Sequence, residues 1–284
     1  MAELLKGAPA AAALTEELAA RCEALKGQGV EPCLAIVRVG ERPDDIAYET
    51  GAMKRCEKTG IKVRHYLLAA DAEKEEILGV IREINEDSSI HGCLMFRPLA
   101  DKAAEAEACA LLDPEKDADS MTETSLAGVF ACTDRGYPPC TAEAVIKLLE
   151  YYQIPLEGKR VTVIGRSMVI GKPVSIMLQK KNATVTMCHT RTADLPGTCR
   201  NAEILVVAAG KAGVVDETCV SPGQIVIDVG INVGADGKMR GDVDFESVEP
   251  IVAAITPVPG GVGSMTTAML CSHVIRAAEK SLRK

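Results

Sequence analysis

Apolar and polar positions in the first half of the chain follow the pattern of buried strands that alternate with helices. Cys33–Val39 is a nearly continuous apolar run, which predicts a buried parallel strand. Further strands are predicted over residues 63–68 and 92–96. Helices are predicted before and between these strands, over residues 10–26, 44–59 (closed by Gly60 as a C-cap) and 73–86. This βαβαβ order predicts a parallel sheet with right-handed crossovers.

The second half repeats the alternation, after a segment with no clear period. Residues 113–139 are rich in Asp, Thr, Pro and Gly and are predicted to form an irregular loop, followed by a helix over 141–152 that Thr141 caps. The strands predicted beyond it are Arg160–Ile164, Thr184–Cys188, 204–208 and 225–229. The predicted helices are 171–181, 196–200 and 266–284, and Gly234-Ala235-Asp236-Gly237 is predicted to be a hairpin tip. The predicted fold class is therefore α/β, with two domains that divide near residue 141.

The composition agrees with a soluble globular protein and narrows the choice of partners. The 284 residues suffice for one large domain or two ordinary ones, and 47% of them are apolar against 25% charged. Aromatic residues make up only 3%, so an aliphatic core is expected. A net charge of −8 argues against a nucleic acid or a membrane surface as partner. No apolar run approaches the ~18 residues that would predict a membrane span.

The eleven cysteines are scattered along the chain, and no CxxC pair occurs among them. The commonest zinc spacing is thus missing, and no metal site is predicted. The start of the chain is predicted to be an amphipathic helix and not an apolar leader. We therefore expect reduced thiols in a cytoplasmic protein.

A dinucleotide site is predicted where the first strand of the second half ends. Gly165 follows that strand, and Gly171-Lys172-Pro173 opens the next helix. A glycine lets the backbone approach a phosphate, and a helix N-terminus favours negative charge. The full G-x-G-x-x-G fingerprint is not present, so a plain tight turn between strand and helix is the alternative interpretation.

The end of the next strand favours NADP over NAD. An NAD site usually places Asp or Glu there to bind the ribose hydroxyls, whereas this chain has His189-Thr190-Arg191-Thr192. Arg191, together with Arg166 and the threonine hydroxyls, would suit a 2′-phosphate. The alternative is that both arginines are solvated loop residues.

Several segments, in this order along the chain, closely resemble the methylenetetrahydrofolate dehydrogenase/methenyltetrahydrofolate cyclohydrolase family. The proline- and glycine-rich run that begins at Thr256 is the most specific of them. The matching segments are Asp113-Pro114-Glu115-Lys116-Asp117-Ala118-Asp119, Pro139-Cys140-Thr141, Val163-Ile164-Gly165-Arg166-Ser167, Gly171-Lys172-Pro173, Cys188-His189-Thr190-Arg191-Thr192, Thr256-Pro257-Val258-Pro259-Gly260-Gly261-Val262-Gly263 and Met265-Thr266-Thr267. The resemblance covers nearly the whole chain.

The resemblance implies two domains with a cleft between them, and a homodimer. Residues 1–140 would form a folate-binding catalytic domain on which the C-terminal helix 266–284 packs back, and residues 141–265 a Rossmann-like NADP-binding domain. By resemblance, Tyr48 would flank the folate and Asp119 would hold the amino-pyrimidine edge of the pterin. The residues implied in the folate-side wall are Pro257, Gly260 and Gly261. Those implied in NADP binding are Gly165, Arg166, Ser167, Thr190 and Ile231, and the loop chemistry adds Arg191.

The chain departs from the family pattern where the chemistry takes place. The family has its catalytic Lys four residues after the Tyr, whereas Ala52 stands there in this chain. Lys54 lies six residues after Tyr48, which places it roughly 120° away around a helix, so it is not expected to substitute. Phe96 stands where the family has a supporting Gln. Further departures are Ser120 for Gly, Ala142 for Pro and Ser264 for Pro.

These departures affect the two family reactions unequally. Hydride transfer from the methylene carbon to NADP mainly requires positioning, whereas ring opening by water requires proton transfer, which the family Lys serves. We therefore expect NADP-dependent oxidation of 5,10-methylenetetrahydrofolate, with cyclohydrolase activity to 10-formyltetrahydrofolate weak or lost. Two alternatives stay open: a non-catalytic folate- or nucleotide-binding paralogue, and a dehydrogenase of a different substrate.

Overall fold

A computed structural model describes residues 1–234 and 236–283. The helices are α1 (Gly7–Gly27), α2 (Pro43–Thr59), α3 (Lys74–Glu86), α4 (Lys102–Leu111), α5 (Glu123–Phe130), α6 (Cys140–Tyr151), α7 (Gly171–Lys180), α8 (Leu195–Arg200), α9 (Phe245–Val248) and α10 (Thr266–Ser281). The strands are β1 (Glu3–Leu4), β2 (Cys33–Val39), β3 (Lys62–Leu68), β4 (Gly92–Met95), β5 (Arg160–Ile164), β6 (Thr184–Cys188), β7 (Ile204–Val207), β8 (Ile225–Asp228), β9 (Asn232–Val233), β10 (Met239–Arg240) and β11 (Ala254–Ile255).

The chain forms two compact units, each with its own sheet. The three-stranded unit contains Ala12–Cys140 and the chain from Thr267 onward. The six-stranded unit contains Met1–Ala11 and Thr141–Thr266. The sequence analysis predicted that residues 1–140 form one domain. Residues 1–11 belong instead with the second half of the chain, because β1 pairs in parallel with β11.

The sheet of the three-stranded unit has the order β3-β2-β4, with both pairs parallel, as the strand–helix alternation predicts. Its central strand, β2, is almost entirely buried, which explains its nearly continuous apolar sequence. The apolar face of α3 packs with α4 against this sheet through Ile77, Ile81 and Ala104. Gly60 ends α2 in the left-handed conformation with φ 76°, as its predicted role as C-cap requires.

The six-stranded sheet has the order β1-β11-β8-β7-β5-β6, and all of its pairs are parallel. Strand β5 has β6 on one side and β7 on the other, so the chain reverses its direction of travel across the sheet at this point. The carboxyl ends of β5 and β7 therefore flank a topological switch point, where open α/β sheets bind their ligands.

Two local predictions are wrong, and one short strand was not predicted. Residues 113–139 are not irregular throughout, because they contain α5, which begins where the Thr122 hydroxyl accepts a hydrogen bond of 3.1 Å from the Ser125 amide. Thr141 does not cap α6, since that helix already begins at Cys140. The sequence also does not predict β1 as a strand, because two residues are too few to show a periodicity.

The hairpin predicted near residue 235 is formed by β9 and β10, which pair in antiparallel fashion with Val233 opposite Met239. Of the predicted tip, Ala235 lies outside the described residues, as does Lys284 of the predicted last helix. None of the eleven cysteines forms a disulfide, and nine of them are buried. Within residues 1–234 and 236–283, no helix has both the length and the apolar content to cross a membrane.

Candidate functional site

The turn between β5 and α7 depends on two glycines that pack against each other and against β7. Gly165 has φ 128°, and a Cβ there would lie 2.1 Å from the carbonyl oxygen of Ala208. A Cβ on Gly171 would lie 2.2 Å from the carbonyl oxygen of Gly165. Both positions therefore require glycine. The turn is tight because the chain passes directly over the end of β7, at the switch point of the sheet.

The polar residues of this turn face solvent and organise the start of α7. The Ser167 hydroxyl accepts a hydrogen bond of 3.1 Å from the Ile170 amide, and the Ser167 carbonyl accepts one of 3.0 Å from the Lys172 amide. Arg166 and Ser167 are both exposed. The turn thus presents a cation, a hydroxyl and a helix N-terminus at one place, which is a combination suited to a phosphate group.

The loop after β6 is held by its own side chains. The His189 amide donates to the Thr192 hydroxyl at 2.9 Å, and the Arg191 amide donates to Nδ1 of His189 at 3.1 Å. The imidazole is therefore an acceptor within the loop. Thr190 and Arg191 are exposed, and the one carboxylate of the loop, that of Asp194, accepts a hydrogen bond of 2.9 Å from the Gly197 amide in α8. The exposed groups at this position are a hydroxyl and a guanidinium, which fit a phosphate better than a ribose hydroxyl.

Two buried carboxylates, which the sequence interpretation did not single out, connect the loops after β7 and β8. Asp242 accepts hydrogen bonds from the Ala209 and Gly210 amides at 2.6 and 2.8 Å and from the Asn232 side chain at 2.9 Å. Asp228 accepts from the amides of Gly230, Asp242 and Val243, each at 3.0 Å. Burial raises the pKa of Asp228 to about 6, although the amide hydrogen bonds oppose that rise.

The proline- and glycine-rich loop after β11 lines a cavity of about 230 Å³. The three residues implied in the folate-side wall, Pro257, Gly260 and Gly261, line this cavity. Ile231, which is implied in NADP binding, also lines it. Ile231 is 59% exposed, so its side chain is available for contact with a ligand.

The N-terminal segment fixes the position of this loop. The Gly7 amide donates to the carbonyl oxygen of Gly260 at 2.8 Å, and a Cβ on Gly7 would lie 2.0 Å from the carbonyl oxygen of Gly261. The role of Gly7 could have been found only from this contact, because the surrounding sequence reads as an ordinary helix start. The loop and the first turn of α1 are thus in backbone contact, which leaves no room for a side chain.

In the three-stranded unit, Tyr48, Ala52 and Phe96 occupy one corner. Tyr48 and Phe96 meet edge to face, with ring centroids 6.0 Å apart. Ala52 lies one helical turn after Tyr48 and has no exposed surface. Lys54 is exposed and lies on a different face of α2. This corner therefore contains a phenol, a methyl group and a phenyl ring, with no amine from α2.

A buried ion pair lies beside this corner. The carboxylate of Glu49, on the same helix, is 2.8 Å from Nε of Arg38 and 2.9 Å from Nδ1 of His65. The side chains of Arg38 and Glu49 are only 11% and 9% exposed. Arg38 also donates to the carbonyl oxygen of Gly40. The charges are thus neutralised within the unit, as a buried pair requires.

Asp119 precedes α5 and is held by the start of α6. Its carboxylate accepts a hydrogen bond of 3.0 Å from the Cys140 amide. Burial raises the pKa of Asp119, and the hydrogen bond from Cys140 opposes that rise. His273 lies nearby, with Nδ1 2.7 Å from the carbonyl oxygen of Ala118 and 3.7 Å from Sγ of Cys140. Within the described chain, no group of three or more His, Cys, Asp or Glu side chains has an arrangement that would hold a metal ion.

Two family models match the chain, one for each half. Residues 5–119 match the catalytic domain of tetrahydrofolate dehydrogenase/cyclohydrolase, and residues 139–282 match its NAD(P)-binding domain. The bifunctional protein FolD of Carboxydothermus hydrogenoformans is 53% identical over 281 residues, which cover 98% of each chain.

Solved structures agree with these matches. The bifunctional FolD enzyme of Campylobacter jejuni is 39% identical and superposes with a TM-score of 0.94 over 99% of each chain. The methylenetetrahydrofolate dehydrogenase-cyclohydrolase of Trypanosoma brucei, solved with NADP and an inhibitor, is 31% identical, with a TM-score of 0.92 over 100% of this chain and 99% of that one. The chain described above belongs to the tetrahydrofolate dehydrogenase/cyclohydrolase family.

Proposed function

We propose that this protein oxidises 5,10-methylenetetrahydrofolate to 5,10-methenyltetrahydrofolate with NADP, and that its cyclohydrolase activity is weak or absent. One observation carries the proposal. The glycine turn after β5 keeps a geometry that only glycine allows, whereas the corner around Tyr48 has Ala52 and Phe96 in place of the family Lys and Gln. The turn proposed to bind the cofactor thus keeps its glycines, whereas the two residues that would support proton transfer are replaced.

The six-stranded unit fits NADP. The turn that includes Gly165, Arg166 and Ser167 would bring the amide groups at the start of α7 to a diphosphate, because the two close backbone contacts of Gly165 and Gly171 keep it tight. Thr190 and Arg191 would bind the 2′-phosphate, and exposed Ile231 would contact the nicotinamide end. When bound, NADP supplies a ring that accepts a hydride.

The residues that the family resemblance implies in folate binding are polar or planar groups. Tyr48 would lie along the substrate, with its ring oriented by Phe96. Asp119 would accept hydrogen bonds from the amino-pyrimidine edge of the pterin. Pro257, Gly260 and Gly261 would form an apolar wall, since their loop carries no charged side chain.

Hydride loss from the methylene carbon leaves a cation that the adjacent nitrogen lone pair stabilises. The main task of the protein in this step is therefore to hold both ligands in the correct orientation. Neither an amine at position 52 nor an amide at position 96 is needed for that task. The dehydrogenase activity is accordingly expected to survive the two replacements.

Hydrolysis of the methenyl product needs a group that moves protons to and from the attacking water and the ring nitrogen. The Ala52 methyl group and the Phe96 ring have no proton to exchange and no hydrogen bond to offer. Loss of a general acid or base typically lowers a rate by roughly 10²–10⁴-fold. We expect hydrolysis by this enzyme to be slower by about that factor than hydrolysis by a family member that keeps the Lys.

Two assays on the full-length protein test the proposal. The first follows NADPH formation from 5,10-methylenetetrahydrofolate, and the second follows hydrolysis of 5,10-methenyltetrahydrofolate. We expect turnover in the first and, in the second, a rate near the uncatalysed one. The double variant Ala52→Lys/Phe96→Gln is expected to gain hydrolysis, whereas Lys54→Ala, which alters an exposed lysine on the same helix, is expected to leave both rates unchanged.

Several results would contradict the proposal. Rapid methenyl hydrolysis by the unaltered protein would show that another group replaces the lysine. Binding of NADP and tetrahydrofolate without turnover would favour a non-catalytic paralogue. Binding of NADP without any folate would favour a dehydrogenase of a different substrate. Thermal shifts with each ligand separate the last two cases.

We also propose that the protein is a cytoplasmic homodimer. Its free, mostly buried thiols support a reducing compartment. The dimer is inferred from the family resemblance, and light scattering at micromolar concentration tests it directly. A mass near 30.0 kDa, that of a single chain, would contradict it.

A further inference from the structure

The side chain of Asn232 closes the base of the β9–β10 hairpin. Its Nδ2 donates a hydrogen bond of 2.9 Å to Oδ1 of Asp242 and one of 3.1 Å to the carbonyl oxygen of Gly241. The backbone of Asn232 is in addition paired with that of Arg240 across the hairpin. The start of the hairpin is thus fixed to the residues that follow the hairpin, through a side chain as well as through the backbone.

Asp242, the acceptor of this bond, also holds the loop after β7. Its Oδ2 accepts hydrogen bonds from the amides of Ala209 and Gly210 at 2.6 and 2.8 Å, and the residue has no exposed surface. These two residues directly follow Ala208, whose carbonyl oxygen lies against Gly165 in the turn after β5. One buried carboxylate therefore connects the hairpin to the loop that packs against the glycine turn.

Ile231 lies between two residues that this network holds. A Cβ on Gly230 would lie 2.1 Å from Cγ of Asp242, and Asn232 is bonded to the same carboxylate. The Ile231 side chain is nevertheless 59% exposed and lines the cavity beside the loop after β11, where a Cβ on Gly263 would lie 3.8 Å from its Cδ1. The backbone on both sides of Ile231 is thus fixed, while its side chain is available to contact a ligand.

We propose that Asn232 is a positioning residue for hydride transfer. The inference rests on the proposed function, which places the nicotinamide end of NADP at Ile231 and the diphosphate at the turn that includes Gly165. Through its bond to Asp242, Asn232 sets the position of Ile231 relative to that turn, and thereby the position of the ring that receives the hydride. A misplacement of about 1 Å at the reacting atoms can lower a rate by roughly 10²-fold. Asn232 therefore acts on the reaction through Ile231 and not by a contact of its own.

A double-mutant cycle on the full-length protein tests this role. Asn232→Ala removes both side-chain hydrogen bonds, and we expect it to lower kcat for NADPH formation by roughly 10- to 100-fold. The affinity for NADP, measured by calorimetry, should stay nearly the same, because the turn proposed to bind the diphosphate is unaltered. In an Ile231→Ala background the contact that Asn232 positions is already lost, so Asn232→Ala should cause little further loss of kcat. A merely structural role would lower kcat by the same factor in both backgrounds.

The emission of bound NADPH gives a second readout, which requires no turnover. This fluorescence comes from the reduced nicotinamide ring and changes with the surroundings of the ring. We expect Asn232→Ala and Ile231→Ala to shift the emission of bound NADPH in the same direction. Asn201→Ala is the matched control, because it alters an exposed asparagine that precedes β7 in the same unit. It should leave both kcat and the emission unchanged.

Unchanged kcat and emission in Asn232→Ala would overturn the proposal, as would equal losses of kcat in both backgrounds or a loss of NADP affinity as large as that of kcat. If Asn232→Ala does not fold, Asn232→Leu, which keeps a side chain of similar size without a donor, takes its place in the cycle. No NADPH formation by the unaltered protein would contradict the proposed function, and the emission of bound NADPH would still decide the role of Asn232. Absence of NADPH binding would overturn both.

Discussion

At the scale of single residues, the buried carboxylates Asp228 and Asp242 determine where glycine is needed around the loops after β7 and β8. A Cβ on Gly241 would lie 1.8 Å from Oδ2 of Asp228, and one on Gly230 would lie 2.1 Å from Cγ of Asp242. A side chain at either position would collide with a carboxylate, so both positions require glycine. The carboxylates in turn hold the backbone amides of these loops. We infer that this pair keeps the loops after β7 and β8 in a single arrangement.

The raised pKa of Asp228 predicts how stability depends on pH. A carboxyl whose pKa is higher in the folded state than in the unfolded state binds its proton more tightly when folded. Its contribution to stability is therefore present below the unfolded pKa of about 4 and is lost as the pH rises through about 6. Between pH 4 and pH 7 the loss amounts to roughly 2–3 kcal/mol of unfolding free energy.

Urea unfolding of the unaltered protein and of Asp228→Asn at several pH values measures this loss. The asparagine does not titrate, so stability should fall more steeply with rising pH in the unaltered protein than in the variant. Asp134→Asn, which alters an exposed carboxylate of the three-stranded unit, controls for the loss of one charge and should keep the steeper slope. Equal slopes for the unaltered protein and Asp228→Asn would refute the prediction.

At the scale of elements, the junction of β1 and α1 supports the proline- and glycine-rich loop after β11. Strand β1 pairs with β11, and the chain then turns at Gly7, whose amide donates to the loop. A two-residue strand is too short to be stable alone. Strand β1 supports the loop after β11 because it places the first turn of α1 against that loop, which lines the cavity at Ile231.

This junction predicts opposite effects for two substitutions in the same helix. Gly7→Ala places a methyl group 2.0 Å from a backbone oxygen, so the loop must shift, at a cost of about 1–3 kcal/mol in unfolding free energy. Gly27, at the other end of α1, has no atom within 4 Å of an added Cβ. Gly27→Ala should therefore be neutral or stabilise by up to about 1 kcal/mol. Thermal unfolding of both variants checks this, and equal melting temperatures would contradict it.

At the scale of the whole molecule, the thiols are numerous and mostly protected. Cys132 is the exposed cysteine and Cys109 is half-buried, while the other nine are buried. Burial raises the pKa of Cys199 to about 12 and also raises that of Cys93, so these thiols are neither accessible nor ionised near neutral pH. The native protein should therefore react slowly with thiol reagents in spite of its eleven cysteines.

Titration with a chromogenic disulfide reagent tests this expectation. The native protein should show a fast phase of about one thiol, and the unfolded protein all eleven. Cys132→Ser should abolish the fast phase, whereas Cys109→Ser should leave it unchanged. Several fast thiols in the native protein would mean that the buried cysteines are reached by local opening.

Most of the helices and strands were predictable from the sequence. Strands β2 and β5 have the predicted bounds, because a buried parallel strand leaves a nearly continuous apolar run. Strand β6 also has the predicted bounds, although it is a mostly exposed edge strand. Helix α5 was not predicted, since its start depends on one capping threonine within a polar segment. The replacements at Ala52 and Phe96 are visible in the sequence alone, because a family pattern shows which side chain is missing.

The sequence by itself therefore determined the α/β class, the alternation of elements and the family, all of which depend on local periodicity or on short ordered motifs. Only the tertiary structure decided that residues 1–11 join the second sheet, that Gly7 supports the loop at Gly260, and that Asp228 and Asp242 hold the loops after β7 and β8. It alone revealed the unsatisfied hydroxyl of Ser120. The physical reason is the same in each case: these features depend on contacts or on the burial of atoms, and neither leaves a periodic signal along the chain.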